Sequence, residues 1–233
     1  APQVGDIVEI TTRTESTNGH PIPGAFELLR LLQGTSYTHE TIIRVELPLH
    51  LKVRSRLHID PNHEDLAEKL TLTTERSHGL QRLVLHGRAL APITRERKMP
   101  GLAERAPSLQ ITTFESFQEL SRAYSKLVDK QRFLTHAMRD WLAQKREQSK
   151  GPDGLVKPSL LVRAIVEGIA QEIRYVGLEF GIHGFQPYRT DQVWVRRFGD
   201  CKDQATLLTT LLQQAGIPAH VALVRTRPRG RIP

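Results

Sequence analysis

The chain reads as an α+β protein. An antiparallel, sandwich-like β module spans residues 1–107, a helical connector spans 108–150, and a helix, loop, helix, strand segment spans 151–233. Three observations predict this. Up to about residue 95 the apolar residues alternate in short Thr/Val/Ile-rich runs, the period of a half-buried strand. From Phe114 onward they recur three and four apart, the period of a helix with one buried face. Between the two, Pro92, Pro100-Gly101, Pro107 and the charged run Arg95-Glu96-Arg97-Lys98 interrupt both patterns and mark a connector.

The expected strands are Ile7–Thr11, Thr41–Leu47, Leu70–Thr74 and Leu83–Gly87, with His78-Gly79 turning a hairpin between the last two. Their alternation implies an antiparallel sheet with one wet face. Phe114, Phe117, Leu120, Tyr124, Leu127 and Val128 share one helical face, and Phe133, Leu134, Met138, Trp141 and Leu142 share another. After the loop Gly151-Pro152-Asp153-Gly154, a third helix runs from Pro158 to Arg174 with Leu161, Ala164, Ile165, Gly168, Ile169 and Ile173 inward. His220–Arg225 reads as a closing strand.

Composition sets limits on function. The net charge of +8 is spread thinly, with 14 Lys/Arg against 13 Asp/Glu before residue 108, 8 against 5 over 108–150 and 11 against 7 beyond. No stripe of cations interleaved with aromatics points to nucleic acid. The arginines at 225, 227, 229 and 231 read as a solvated tail. No apolar run approaches the 18 or so residues of a membrane span. His58 and His63 bracket Asp60, but Pro61-Asn62 between them is a turn, so no metal site is expected. One cysteine excludes an internal disulfide and a Cys-rich zinc site. The chain opens on Ala1 with no charged leader, as a processed protein or an excised piece would.

That cysteine, Cys201, heads a helix that reads forward as Ala205, Leu208, Leu211, Leu212 and Ala215 and stops at Gly216 with Pro218 beyond. Asp200 fits the N-cap and Asp203 the third helical position, as in a capping box. A helix N-terminus and a neighbouring Lys202 favour a thiolate. A small buried hydrophobe is the other reading of a lone cysteine. Upstream, the glycine-rich run from Arg174 to Pro187 has no Gly-Lys-Ser/Thr ending and is no phosphate loop; an irregular loop close to a substrate and a structural meander both fit it.

Ile173-Arg174-Tyr175-Val176-Gly177, Gly184-Phe185-Gln186-Pro187, Arg197-Phe198-Gly199-Asp200-Cys201-Lys202-Asp203 and Leu211-Leu212 before Gly216-Ile217-Pro218 resemble bacterial members of the transglutaminase-like superfamily. Met99-Pro100 and Ile111–Phe117 resemble the junction where an uncharacterised β-rich domain precedes such a core. The resemblance is strong over 173–224 and weak before residue 90. It implies that residues 151–233 are the first half of a papain-like α+β core and that 1–107 is an incomplete β-rich domain. It also implies that Cys201 is the nucleophile of a Cys-His-Asp triad whose histidine and aspartate lie on later strands, beyond Pro233. His220 and His183 are poor substitutes for that base.

The resemblance further implies acyl transfer on a protein or peptide amide through a thioester on Cys201, as a transglutaminase, peptidase or deamidase, with no metal or organic cofactor. The backbone N–H of Cys201 would serve the oxyanion, and Gln186 is a candidate second donor, or else a structural amide bridging the loop. Such proteins are often exported, which favours an exported or periplasmic location. The rival reading is a noncatalytic scaffold of the same fold that holds a protein or glycan partner.

Overall fold

The computed structural model describes residues 3, 5–13, 15, 20–60 and 65–224. In chain order its first part holds β1 (Glu27–Leu31), β2 (Thr38–Pro48), β3 (Arg54–His58), a short helix α1 (Asp65–Lys69), β4 (Leu70–Ser77), β5 (Leu80–Leu90), α2 (Leu102–Arg105) and β6 (Ser108–Thr112). These strands make two three-stranded antiparallel sheets, ordered β1–β6–β3 and β2–β5–β4.

Alternation decides which faces meet. Ile43, Val45 and Leu47 of β2 and Leu83 and Leu85 of β5 turn inward, where Leu28, Leu57, Leu109 and Ile111 of the other sheet join them in one cluster. The module is therefore sandwich-like, with its two inner faces sharing a core. On the outer face of β2 and β5, Arg82 Nε donates to Glu46 Oε1 at 2.6 Å and His86 pairs with Glu40 at 2.8 Å. Exposed pairs of this kind contribute little to stability. His78 and Gly79 both have positive φ and form the expected two-residue hairpin between β4 and β5.

Two expectations change here. Ile7–Thr11 forms no strand, and Ile7, Val8 and Ile10 are exposed, because no described segment runs beside them to complete a ladder. Ser108–Thr112, which the sequence placed at the head of the helical connector, is instead the central strand of the first sheet. Leu109 and Ile111 alternate inward there, but a five-residue run directly after Pro107 gives the alternation no length in which to show.

The second part holds α3 (Phe117–Asp129), α4 (His136–Gln148), α5 (Pro158–Glu172), β7 (Arg174–Tyr175), a 3-10 turn (Gly181–Gly184), α6 (Thr190–Arg196), β8 (Phe198–Gly199) and α7 (Cys201–Gln214). Ser116 and Thr135 cap α3 and α4, each accepting from the N–H three residues on, and Pro158 opens α5. Met138 and Leu142 of α4, Leu161, Ile165 and Ile169 of α5, Val193 and Trp194 of α6, and Leu207, Leu211 and Leu212 of α7 make one core. On α3, Tyr124, Leu127 and Val128 pack against Ile22 and Val221, while Phe117 points outward rather than into the expected stripe.

Gly168 lets α5 close on α4. A Cβ there would stand 2.5 Å from Trp141 Cζ2, and the Trp141 ring is fixed by its Nε1 donating to Glu172 Oε1 at 2.6 Å and by edge contact with Trp194. Gly168→Ala is expected to cost about 1–3 kcal/mol through overpacking, despite alanine's better helix propensity. Urea denaturation checks this, and an unchanged or raised midpoint would show that the helices can part at no cost.

Residues 220–224 have no strand pairing, so the expected closing strand is not formed among the described residues. Arg225 and the other arginines of the tail, like His63, lie outside the described residues. No described helix is long and apolar enough to cross a membrane, and no described group of three or more His, Cys, Asp and Glu side chains could hold a metal ion.

Candidate active site

Cys201 is the first residue of α7 and its side chain is exposed, so it belongs to neither core. Its position is set from two directions. Behind it, β8 pairs in parallel with β7, placing Arg174 opposite Phe198 and Tyr175 opposite Gly199, with Val176 N–H donating to Gly199 O at 3.0 Å. The turn into β8 uses Arg197 in the left-handed region (φ 59), where its guanidinium bonds Glu172 and covers the Trp194 ring. Ahead of it, α7 begins with the predicted capping box: Asp200 Oδ1 accepts from Lys202 N and Asp203 N, and Asp203 Oδ2 accepts from Asp200 N.

Asp203 does more than close the box. Only 1% exposed, it also accepts the Tyr188 N–H on Oδ1 at 2.8 Å and Arg196 Nη2 on Oδ2 at 3.1 Å. Arg196 in turn donates Nε to Phe198 O and lies over the Tyr188 and Phe198 rings, and Tyr188 stacks on His183 at 3.5 Å. One carboxylate thus joins the start of α7, the end of α6 and the loop before it. Gly199 permits this, since a Cβ there would stand 2.7 Å from Asp203 Cβ.

The helix is buried on more of its surface than the leucine spacing indicates. Thr206, Thr209 and Thr210 are buried because each hydroxyl donates back to the carbonyl four residues earlier, so no polar atom is stranded. Leu207, outside the expected stripe, is fully buried.

Lys202 is not a free cation beside the sulfur. Its Nζ is paired with Asp200 Oδ2, and both side chains are almost wholly buried. Two phenols, Tyr175 and Tyr124, feel the charge of Cys201. The negative charge of Cys201 above all, then desolvation, Asp200 and Glu179, holds the Tyr175 phenol above its usual range. Burial above all, followed by Cys201, Asp200 and Asp203, raises Tyr124, which reaches the site from α3. Neither tyrosine stood out in the sequence. Tyr175 lies within the Ile173–Gly177 motif, but only the parallel pairing shows that it lies opposite Gly199, two residues before Cys201.

The other sequence candidates fall as follows. Gln186 follows the 3-10 turn, half-buried, its N–H donating to Ile182 O and its carbonyl accepting from His183 Nδ1 at 3.1 Å. His183 is held by that bond and by the Tyr188 ring. His220 is exposed beyond the end of α7. Phe185 packs 5.3 Å from the His20 ring, which ties the loop to the segment leading into β1.

Residues 150–231 match the sequence model of the transglutaminase-like superfamily. No curated protein sequence matches the chain. Among solved structures, the chain superposes on that of a "putative protease" from Parabacteroides distasonis with a TM-score of 0.66 at 20% identity, covering 83% of this chain. The chain spans 35% of that protein's length. The fold is α+β, with a β-rich module ahead of a papain-like core. Residues 150–231 thus match the transglutaminase-like superfamily, on a fold that this chain shares with the Parabacteroides distasonis protein.

Proposed function

We propose that this chain carries the nucleophile of a cysteine-dependent acyl transfer on a protein or peptide amide. The observation that supports it most directly is the exposed Cys201 thiol, held at the first position of α7 by the capping box and the buried Asp203, within the superfamily-matching stretch. In the proposed reaction the sulfur adds to the amide carbonyl carbon and the carbonyl electron pair moves onto oxygen. Collapse expels the amine, which takes up a proton, and leaves a thioester; water or a second amine then releases the acyl group. The Cys201 N–H and the Gln186 side-chain amide are the proposed oxyanion donors. His183 and His220 are not assigned as the base, which this reading places, with the aspartate, in polypeptide after Pro233.

The test is peptide-amide turnover by the protein in its longest natural form, with acyl adducts followed by intact-mass spectrometry. One acyl group on Cys201 and a loss of about a thousandfold or more in Cys201→Ala are expected. Turnover retained by Cys201→Ala would overturn the reading, as would the absence of any adduct on a correctly folded protein, which would favour the scaffold.

A further inference from the structure

The open edge of the first sheet carries charge at strand spacing. β3 pairs with β6 on one side, and no described strand runs along its other edge. Through this strand and its approach the chain alternates Lys52, Arg54, Arg56 and His58 with Val53, Ser55, Leu57 and Ile59. Val53, Leu57 and Ile59 pack against the core between the sheets, so the basic residues take the outer face. Successive members of this ladder stand about 6.7 Å apart along the strand.

That face is open. A recess of about 650 Å³ lies over it, bounded by Arg54 and Arg56, by Gln110 of β6, by the exposed Leu29 of β1 and by the exposed Phe117 of α3. Neither arginine has a carboxylate partner among the described residues. Arg54 donates to the Glu115 carbonyl, Lys52 takes the Glu115 carboxylate at 2.9 Å, and Arg56 makes no hydrogen bond or ion pair with a described residue. Gln110, in register with Arg56, has its Nε2 buried with no acceptor among the described residues. An unmatched buried donor is costly, and a carboxylate oxygen brought over Arg56 would supply the acceptor.

Cations on an edge strand guard against self-pairing, because a second β3 would set like charge against like. The same ladder admits a strand of opposite charge. We infer that the open edge of β3 is a docking site for an extended acidic segment of a partner protein, with carboxylates at alternate positions and apolar residues between them. The carboxylates meet Arg54 and Arg56 on the outer face, the apolar residues continue the inner face of Val53 and Leu57, and the segment's backbone pairs with the free edge. β3 carries no aromatic ring on which bases could stack, so its cations suit a peptide better than a single-stranded nucleic acid. The site uses no residue of the Cys201 site and stands or falls apart from the proposed acyl transfer.

The experiment is fluorescence anisotropy of the whole chain with the fluorescein-labelled peptide TEVEVET, against TVEEEVT, which has the same composition without the alternation, and TKVKVKT. Saturable binding of TEVEVET is expected, about fivefold weaker binding of TVEEEVT and none of TKVKVKT. Arg56→Glu is expected to weaken TEVEVET about tenfold and Arg56→Ala about threefold, with thermal unfolding unchanged. Arg44→Glu, an exposed arginine of β2 in the other sheet, is expected to leave binding in place. Hydrogen exchange is expected to show the β3 amides protected when TEVEVET is bound. No saturable binding overturns the site. Equal affinity for TEVEVET and TVEEEVT, or bound peptide without protection of β3, reduces the surface to a patch of charge and overturns strand pairing. An equal loss in Arg44→Glu also overturns the assignment, as does tighter binding of oligothymidylate that Arg56→Glu abolishes, which would give the face to nucleic acid.

Discussion

Asp203→Ala is expected to destabilise the chain by about 3 kcal/mol, at the lower end of the cost of removing one partner from a buried ion pair. Three groups lose their acceptor at once: the Arg196 guanidinium, the Tyr188 N–H and the Asp200 N–H. Arg196 retains its bond to Phe198 O and some access to water, which keeps the loss from the top of the range. Asp203→Asn keeps an acceptor for one N–H and removes the charge, so its loss is expected to be about half as large. Urea denaturation of both variants measures this. Equal losses would show that the charge matters little, and a loss below about 0.5 kcal/mol in Asp203→Ala would show that the junction of α6, loop and α7 is not held by this side chain.

Leu211→Ala is the second large effect. Leu211 is fully buried where α7 meets the core side chains of α4, α5 and α6. Truncation removes transfer free energy and leaves a cavity, together about 3 kcal/mol, or roughly 6–12 °C in Tm for a chain of this size. Thermal unfolding followed by circular dichroism reads it. A shift under 2 °C would mean that the four helices close the void or are not packed as described.

Much of the site's frame was legible because its signals are local. Asp200, Asp203, the leucine spacing and Gly216 lie within a few residues of one another and announce a capped helix with Cys201 at its head. The hairpin at His78-Gly79 was legible for the same reason. What the sequence hid depends on partners distant along the chain. Nothing near Asp203 indicates that it will accept from Tyr188 and Arg196, and nothing near Tyr175 indicates that it will pair with Gly199 beside Cys201. The seven-residue α6, with a Val193-Trp194-Val195 run, raised no helical expectation because two turns cannot display a period. Ile7–Thr11 shows the converse, an alternation with no described strand beside it. Lys202 shows that an adjacent charge is no guide to its effect, because Asp200 is paired with it.

The stretch that matches the superfamily starts at residue 150, yet the packed core around it starts earlier. Met138 and Leu142 of α4 form part of its core, Phe133 N–H donates to Thr190 Oγ1 at 2.7 Å, and Arg132 Nη1 donates to Gln213 Oε1 at 2.7 Å. Recombination at residue 150 would transmit the stretch that matches the superfamily model and leave behind α4, one wall of its core. The matching stretch and the packed body that holds it differ in length, and a crossover that kept these contacts together would fall upstream of Gln131, whose carbonyl accepts the Thr190 N–H.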